Sequence, residues 1–168
     1  MWSVSSACCW TAWSRPTNPF FGACYGVGTL GRHQGAVIDG TYAEPVGSVE
    51  VTLTGHGVAD PLLAGLPSSF AAYVGHKEAC ASLPASAVLL ASSATCPVQM
   101  FRVGQNVYAT QFHPELDVEA LVGRISTYRH AGYFPPEEAD EYMARARATV
   151  VDQPELILRA FVKRYARE

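Results

Sequence analysis

The sequence predicts an α/β domain in which short apolar strands alternate with amphipathic helices. Two patterns support this fold class: short apolar or alternating runs bounded by turn residues, and apolar residues at helical spacing in the last third of the chain. The composition agrees, because 49% hydrophobic and 16% charged residues are typical of a globular domain. A chain of 168 residues has the length of one domain, and no internal repeat interrupts it.

Six strands are predicted from these patterns. The last two form a hairpin through the turn Gly104–Asn106. The strands are Pro19–Ala23, Ser48–Thr54, Phe70–Val74, Ala87–Ser92, Val98–Val103 and Val107–Phe112.

Four helices are predicted between and after the strands. The first spans Gly26–Gln34, and the second spans Asp117–Arg129 with Asp117 as its N-cap. Pro135 and Pro136 open the third helix, whose first turn is acidic and whose last turn is basic. The fourth spans about 154–164.

Residues 1–18 differ from the rest of the chain. All three tryptophans and two adjacent cysteines lie within residues 1–13, and neither a helical nor a strand period runs through them. With plausible GC-rich codons, a one-base shift of the frame turns this segment into an amphipathic helix. Our hypothesis is that residues 1–18 are an atypical, out-of-frame segment and that the domain proper spans residues 19–168.

The composition argues against several classes of partner. A net charge of −3 gives no electrostatic reason to expect binding to nucleic acid or to an anionic membrane, and no apolar run approaches the ~18 residues of a membrane span. The five cysteines are odd in number and include no C-x-x-C pair, so neither a disulfide framework nor a zinc site is indicated. We therefore expect a soluble, cytoplasmic protein without a metal or cofactor.

One cysteine lies in a pattern that carries chemistry. Gly22-Ala23-Cys24-Tyr25-Gly26 follows an apolar strand and precedes a helix, as in the G-x-S-x-G nucleophile elbow. A helix beginning at this point directs backbone N–H groups at the sulfur and at an oxyanion beside it. The same pattern also fits a small buried cysteine, since free cysteines are often buried.

A second motif decides between these interpretations. The predicted strand 107–112 runs directly into His113-Pro114-Glu115. His113 can take the proton of Cys24 while Glu115 orients its ring, so the three residues have the chemistry of a nucleophile, base and orienting acid.

GACYGVGTLG and NVYATQFHPELD resemble the nucleophile and His-Glu motifs of class I glutamine amidotransferases, and GHKEACASLP and AVLLASSATCPVQMFRVG resemble their linking segments. The resemblance is greatest to stand-alone proteins similar to the glutaminase domain of GMP synthase. It implies a flavodoxin-like, open and largely parallel sheet with flanking helices, lacking its first strands. It also implies hydrolysis of the glutamine side-chain amide through a thioester on Cys24, with the backbone N–H of Tyr25 in the oxyanion hole and with ammonia passed to an acceptor, for which a separate synthetase subunit is a candidate.

Two departures from the family pattern bear on this function. The family has glutamine at the position of Gly28, so a side chain that holds substrate is absent unless Gln34 or Gln111 replaces it. By comparison with the family, we also expect the strands and the glycine-rich loop that precede the elbow to be missing. His76 aligns with a segment near the substrate, and a structural loop histidine is the alternative. Three functions thus remain open: glutamine amidotransferase, γ-glutamyl hydrolase or peptidase, and non-catalytic remnant.

Overall fold

The computed structural model describes residues 18–132 and 134–166. The predicted atypical segment lies outside this part of the chain except for Asn18. The strands are β1 (Phe20–Ala23), β2 (Val37–Asp39), β3 (Glu44–Leu53), β4 (Ser69–His76), β5 (Ala79–Ser82), β6 (Ala87–Ser93), β7 (Met100–Val103) and β8 (Val107–Thr110). The helices are α1 (Tyr25–Gln34), α2 (Gly55–Val58), α3 (Val118–Thr127), a 3₁₀ turn at Pro136–Glu138, α4 (Ala139–Ala148) and α5 (Gln153–Tyr165).

Six of the strands form one sheet in the order β1-β8-β7-β6-β3-β4. The α/β class is confirmed, but the largely parallel sheet is wrong for the strands described: β1 and β8 pair in parallel, and the other four pairs are antiparallel. Short links make the β6–β7 and β7–β8 pairs antiparallel, because a parallel pair needs a crossover of a dozen or more residues. The sheet is therefore mixed.

A small second sheet, formed by β2 and β5, was not predicted. These strands have 3 and 4 residues, too few for a period-2 pattern to show. All four predicted helices are present within a few residues of their predicted ends. Asp117 caps α3 as expected, because its side chain accepts the Ala120 N–H at 2.7 Å.

Helices cover the sheet and enclose three hydrophobic clusters. The α1 helix buries Val27 and Leu30 against Phe101 and Val107. This packing holds the start of α1 next to the end of β1. The α5 helix buries Ile157 in the largest cluster. The α3 and α4 helices share the remaining cluster, beyond the carboxyl end of β8. No helix in the described ranges is long and apolar enough to cross a membrane.

Candidate active site

Cys24 occupies a strained turn between β1 and α1. Its φ of 48° makes it the one residue other than glycine with a positive φ in the described part of the chain. A non-glycine residue in this region costs energy and persists only where the surroundings enforce it. Gly22 allows the chain to pack this tightly around the turn, because a Cβ there would lie 3.0 Å from the Cα of Gly26. The predicted nucleophile elbow is thus the geometry that the chain adopts.

Strand β8 brings His113 to this turn. β1 and β8 run in parallel with Ala23 opposite Thr110, and the Cys24 N–H donates to the Thr110 carbonyl at 2.7 Å. His113 follows three residues later, and its N–H donates to the carbonyl of Tyr73 on β4 at 2.8 Å. The backbone therefore fixes His113 on both sides, beside the carboxyl end of β1.

His113 lies between Cys24 and Glu115. Its Nδ1 is 2.7 Å from Glu115 Oε1, which leaves Nε2 for the Cys24 thiol. Burial lowers the pKa of His113, but hydrogen bonds to Cys24 and Glu115 and the charges of both raise it to about 9. Burial raises the pKa of Glu115, but its hydrogen bond to His113 has the larger opposing effect. The charge of Arg124, which lies 3.4 Å from Glu115 Oε1, also helps to hold this pKa below its ordinary value. The three predicted side chains are thus brought together, with the charged forms of His113 and Glu115 favoured.

Tyr25 is the first residue of α1, and its side chain is exposed. The first N–H groups of a helix have no partner within the helix and carry the positive end of its dipole. The backbone N–H of Tyr25 is therefore placed to meet an oxyanion next to the Cys24 sulfur, a role that stays a prediction.

A cavity of about 500 Å³ opens beside Cys24 and is lined by both polar and apolar groups. Gly28, His76 and Gln111 all line it. A Cβ at Gly28 would meet nothing within 4 Å, so the space for the family's glutamine side chain is open. Gln111 is 1% exposed, and its Oε1 has no hydrogen-bond partner. Of the two glutamines considered as replacements, Gln111 reaches this cavity, whereas Gln34 is not among its lining residues.

His76 is not a loop histidine, since it ends β4 with its side chain 3% exposed. Its Nε2 lies 2.7 Å from the equally buried Glu44, while its Nδ1 is buried without a hydrogen-bond partner. The neighbouring Glu78 pairs with Arg32 at 3.0 Å on the exposed rim of the cavity. His76 is thus built into the cavity wall, and a role in substrate binding remains a prediction.

No pattern in the sequence indicates the buried carboxylate that holds His76. Glu44 also accepts hydrogen bonds from Thr95 and from the Gln99 side-chain amide, the latter at 2.8 Å. Burial raises the pKa of Glu44, but these three donors together hold it below its ordinary value. An acid before a proline in the pattern Ala-Glu-Pro carries no periodic signal, so only the partners distant in sequence reveal its burial.

The other described cysteines differ from Cys24. Cys80 and Cys96 are fully buried, and burial raises the pKa of each to about 11. Both side chains therefore remain neutral thiols at ordinary pH. In the described residues, no group of three or more His, Cys, Asp or Glu side chains is arranged to hold a metal ion.

Comparison with known proteins identifies the family of this chain. The family model for class-I glutamine amidotransferases matches residues 6–121. The chain belongs to this family. The hydrogen-bonded His113 and Glu115 both lie within the matched residues.

Two curated relatives illustrate the similarity in this family. The glutamine-hydrolysing GMP synthase subunit of Thermoplasma acidophilum is 35% identical over 100 residues, 59% of this chain and 48% of the relative. The corresponding GMP synthase subunit of Methanoregula boonei is 32% identical over 113 residues, 67% of this chain and 59% of the relative. The chain therefore spans about half the length of the curated relatives that it matches.

The fold of this chain is also similar to a solved structure. The crystal structure of a glutamine amidotransferase from Thermotoga maritima superposes with a TM-score of 0.77 at 20% identity, covering 95% of this chain and 67% of that one. At this identity the likeness concerns the fold alone. It establishes that the mixed sheet with flanking helices is the class I glutamine amidotransferase architecture.

Proposed function

We propose that this chain hydrolyses the side-chain amide of glutamine or of a γ-glutamyl compound, through a thioester on Cys24. The observation that carries the proposal is the strained Cys24 turn beside His113, whose Nδ1 lies 2.7 Å from Glu115 Oε1 and whose pKa is raised to about 9. Near neutral pH this histidine is protonated and faces a sulfur that is a nucleophile as the thiolate. Membership of the family supports the same chemistry.

Each group has one role in the proposed reaction. The Cys24 sulfur attacks the amide carbon, and the resulting oxyanion is stabilised by the backbone N–H of Tyr25. His113 gives its proton to the departing nitrogen and later takes one from the water that cleaves the thioester. Glu115 fixes the ring and stabilises its cationic form.

We place the substrate's amino-acid portion in the cavity of about 500 Å³ beside Cys24. We propose that the unpartnered Oε1 of Gln111 and Nδ1 of His76 bind it there, since a buried polar atom is favourable only when it is hydrogen-bonded. Gln111 then replaces the side chain that the family has at position 28.

Ammonia release from L-glutamine by the wild type and by Cys24→Ala tests the proposal. We expect at least about a 10³-fold loss in the variant, because the covalent route disappears. Cys80→Ala, which removes a thiol remote from His113, serves as the matched control and should retain activity. Equal release from wild type and Cys24→Ala, or none from either, would eliminate this function for the chain.

We further propose that a separate synthetase protein receives the ammonia, because the two curated relatives compared above are named as subunits of GMP synthase. A mixture of this chain with the synthetase protein encoded in the same genome should then make GMP with glutamine as nitrogen donor. If the mixture, like the synthetase alone, works only with added ammonia, the partnership is wrong.

A further inference from the structure

A buried polar network adjoins the cavity of about 500 Å³, and its centre is the side chain of Glu44, which is 1% exposed. Glu44 Oε2 lies 2.7 Å from His76 Nε2 and accepts a hydrogen bond from the Gln99 side-chain amide at 2.8 Å. Glu44 Oε1 accepts a hydrogen bond from Thr95. A buried charge with this many partners needs an explanation, because a carboxylate is costly to remove from water.

A β-bulge brings Glu44 and His76 together. In the pairing of β3 with β4, the three steps from Glu44 to Gly47 face only the two steps from His76 to Val74. An extra residue in one strand changes the direction of the side chains beside it, and such bulges are common next to active sites. Glu44 and His76 are direct partners in this pairing, so the strands themselves hold the two side chains in contact.

The network supports two residues of the cavity wall. His76 and Gln111 both line the cavity, and each has one buried polar atom without a hydrogen-bond partner, Nδ1 and Oε1 respectively. Glu44 contacts His76 directly. It reaches Gln111 through Gln99, because the Gln111 N–H donates to the Gln99 carbonyl at 2.8 Å. Glu44 is not among the described lining residues, so it acts on the cavity through these neighbours.

Glu44 also decides the hydrogen-bonding role of the unpartnered nitrogen of His76. Burial raises the pKa of Glu44, but its hydrogen bonds hold this pKa below its ordinary value, so the side chain is a carboxylate near neutral pH. A carboxylate only accepts hydrogen bonds, so a neutral His76 ring carries its proton on Nε2 and Nδ1 is an acceptor. Gln111 Oε1 is an acceptor as well. The cavity wall therefore lacks two hydrogen-bond donors.

Only one charged group of an amino-acid substrate can supply these donors. An ammonium group has three N–H bonds to donate, whereas a carboxylate has none. Charge favours the same group, because the ionised Glu44 lies 2.7 Å behind the His76 ring and attracts a cation rather than an anion. Arg32 and Lys77, which line the cavity with exposed side chains, suit the carboxylate instead.

We propose that Glu44 is a positioning residue that makes the cavity selective for the α-ammonium group of the substrate, acting through His76 and Gln111. This inference rests on the proposed hydrolysis and identifies the residue that determines its specificity. The ammonium group donates to both unpartnered acceptors, and Glu44 balances its charge from behind the His76 ring. The α-carboxylate faces Arg32 and Lys77 at the rim.

The test measures ammonia release from L-glutamine and from two analogues that each lack one charged group. Glutaramate has hydrogen in place of the ammonium group, and 4-aminobutanamide has hydrogen in place of the carboxylate. For the full 168-residue chain, kcat/KM for glutaramate should be at least about 10²-fold below that for glutamine, because two buried acceptors stay unpaired. For 4-aminobutanamide the loss should be about tenfold or less, because the missing carboxylate contacts only exposed side chains.

Glu44→Gln keeps the size of the side chain and removes its charge. We expect kcat/KM for glutamine and for 4-aminobutanamide to fall at least about tenfold, mainly through KM, because the ammonium contact is the same in the ground state and the transition state. Glutaramate should change less than about threefold, a selectivity that a general loss of structure would not produce. Glu50→Gln is the matched control, because Glu50 is exposed on the same strand, and it should leave all three values unchanged.

His76→Phe is the second variant and is decisive if Glu44→Gln does not fold. Phenylalanine keeps a flat ring and removes both nitrogens, so the same selective loss on the two ammonium-containing compounds is expected. Glutaramate hydrolysed as well as glutamine by the wild type, or all three compounds affected equally by the variants, would overturn the ammonium inference and leave hydrolysis at Cys24 intact. A loss in Glu44→Gln on glutaramate but not on 4-aminobutanamide would assign the carboxylate to His76 and overturn it too. No Cys24-dependent ammonia release from any of the three compounds would overturn both proposals.

Discussion

Replacing Glu115 by glutamine tests the electrostatic part of the site. The rise in the pKa of His113 from 6.5 to about 9 corresponds to about 3 kcal/mol in favour of its charged form. Cys24 and Glu115 both contribute, against an opposing burial effect. Because the Glu115 side chain is 37% exposed, solvent screens its share. We therefore expect Glu115→Gln to lower the His113 pKa by about one unit or more and kcat/KM by ~10²–10³.

Long-range ¹H–¹⁵N NMR of the ring nitrogens follows this titration directly. The chain has five histidines, and the spectrum of His113→Asn assigns the relevant signal. Glu141→Gln is the charge-matched control, because Glu141 pairs with Arg145 on the exposed surface of α4. An unchanged titration of His113 in Glu115→Gln, or a wild-type pKa near 6.5, would refute the reasoning.

The same pair has a defined effect on stability. His113 has a folded-state pKa above its unfolded value, so its contribution is complete below pH 6.5 and is lost as the pH rises through about 9. Glu115 has a lowered pKa, so its contribution is present above 4.5 and is lost as the pH falls further. The free-energy difference between wild type and Glu115→Gln in urea denaturation should thus be largest between about pH 4.5 and 6.5 and should shrink by about pH 9.5. A difference that grows with alkaline pH would contradict the assigned charges.

Three other expectations concern the elbow, the buried carboxylate and the cysteines. Gly22→Ala places a methyl group 3.0 Å from the Cα of the second elbow glycine, so urea denaturation should show a loss of about 1–3 kcal/mol, together with lower activity. Glu44→Leu removes the acceptor of His76 and leaves buried donors unpaired, at a cost of about 3–5 kcal/mol. Iodoacetamide at about pH 7 should label Cys24 well before Cys80 in peptide mapping, because burial keeps Cys80 protonated and covered.

Each of these expectations has a control or a contrary result. Gly47→Ala introduces the same methyl group into open space and should be tolerated far better than Gly22→Ala. Wild-type stability in Glu44→Leu would show that the buried hydrogen bonds contribute little. Equal labelling of the two thiols in the folded protein would contradict the assigned burial.

Local sequence patterns predict the elements that build the site. The apolar run before Cys24, the glycine pair around it and the strand ending in His113 each lie within a few residues, so composition and spacing suffice to identify them. Asp117 is predictable as a cap for the same reason, because an N-cap bonds to a residue three positions on.

Features that depend on pairing between distant segments are not accessible in this way. The antiparallel majority of the sheet follows from which strands pair, and a strand's own pattern does not state its partner. The Glu44–His76 contact joins residues 32 positions apart, and each looks like a surface residue on its own. The cavity of about 280 Å³ beside His113 is likewise invisible in sequence, because the residues of β3, β4 and α3 that line it meet only in the fold.

The most direct test of the central claim is to identify the residue labelled by a glutamine-like electrophile. The full chain is treated with diazo-oxo-norleucine, digested and mapped by mass spectrometry, beside His113→Asn. We expect a single label on Cys24 in the wild type and a much slower reaction in the variant, because His113 stabilises the attacking sulfur. No label on Cys24, or the same rate without His113, would contradict the proposal that these two residues work together on a γ-glutamyl substrate.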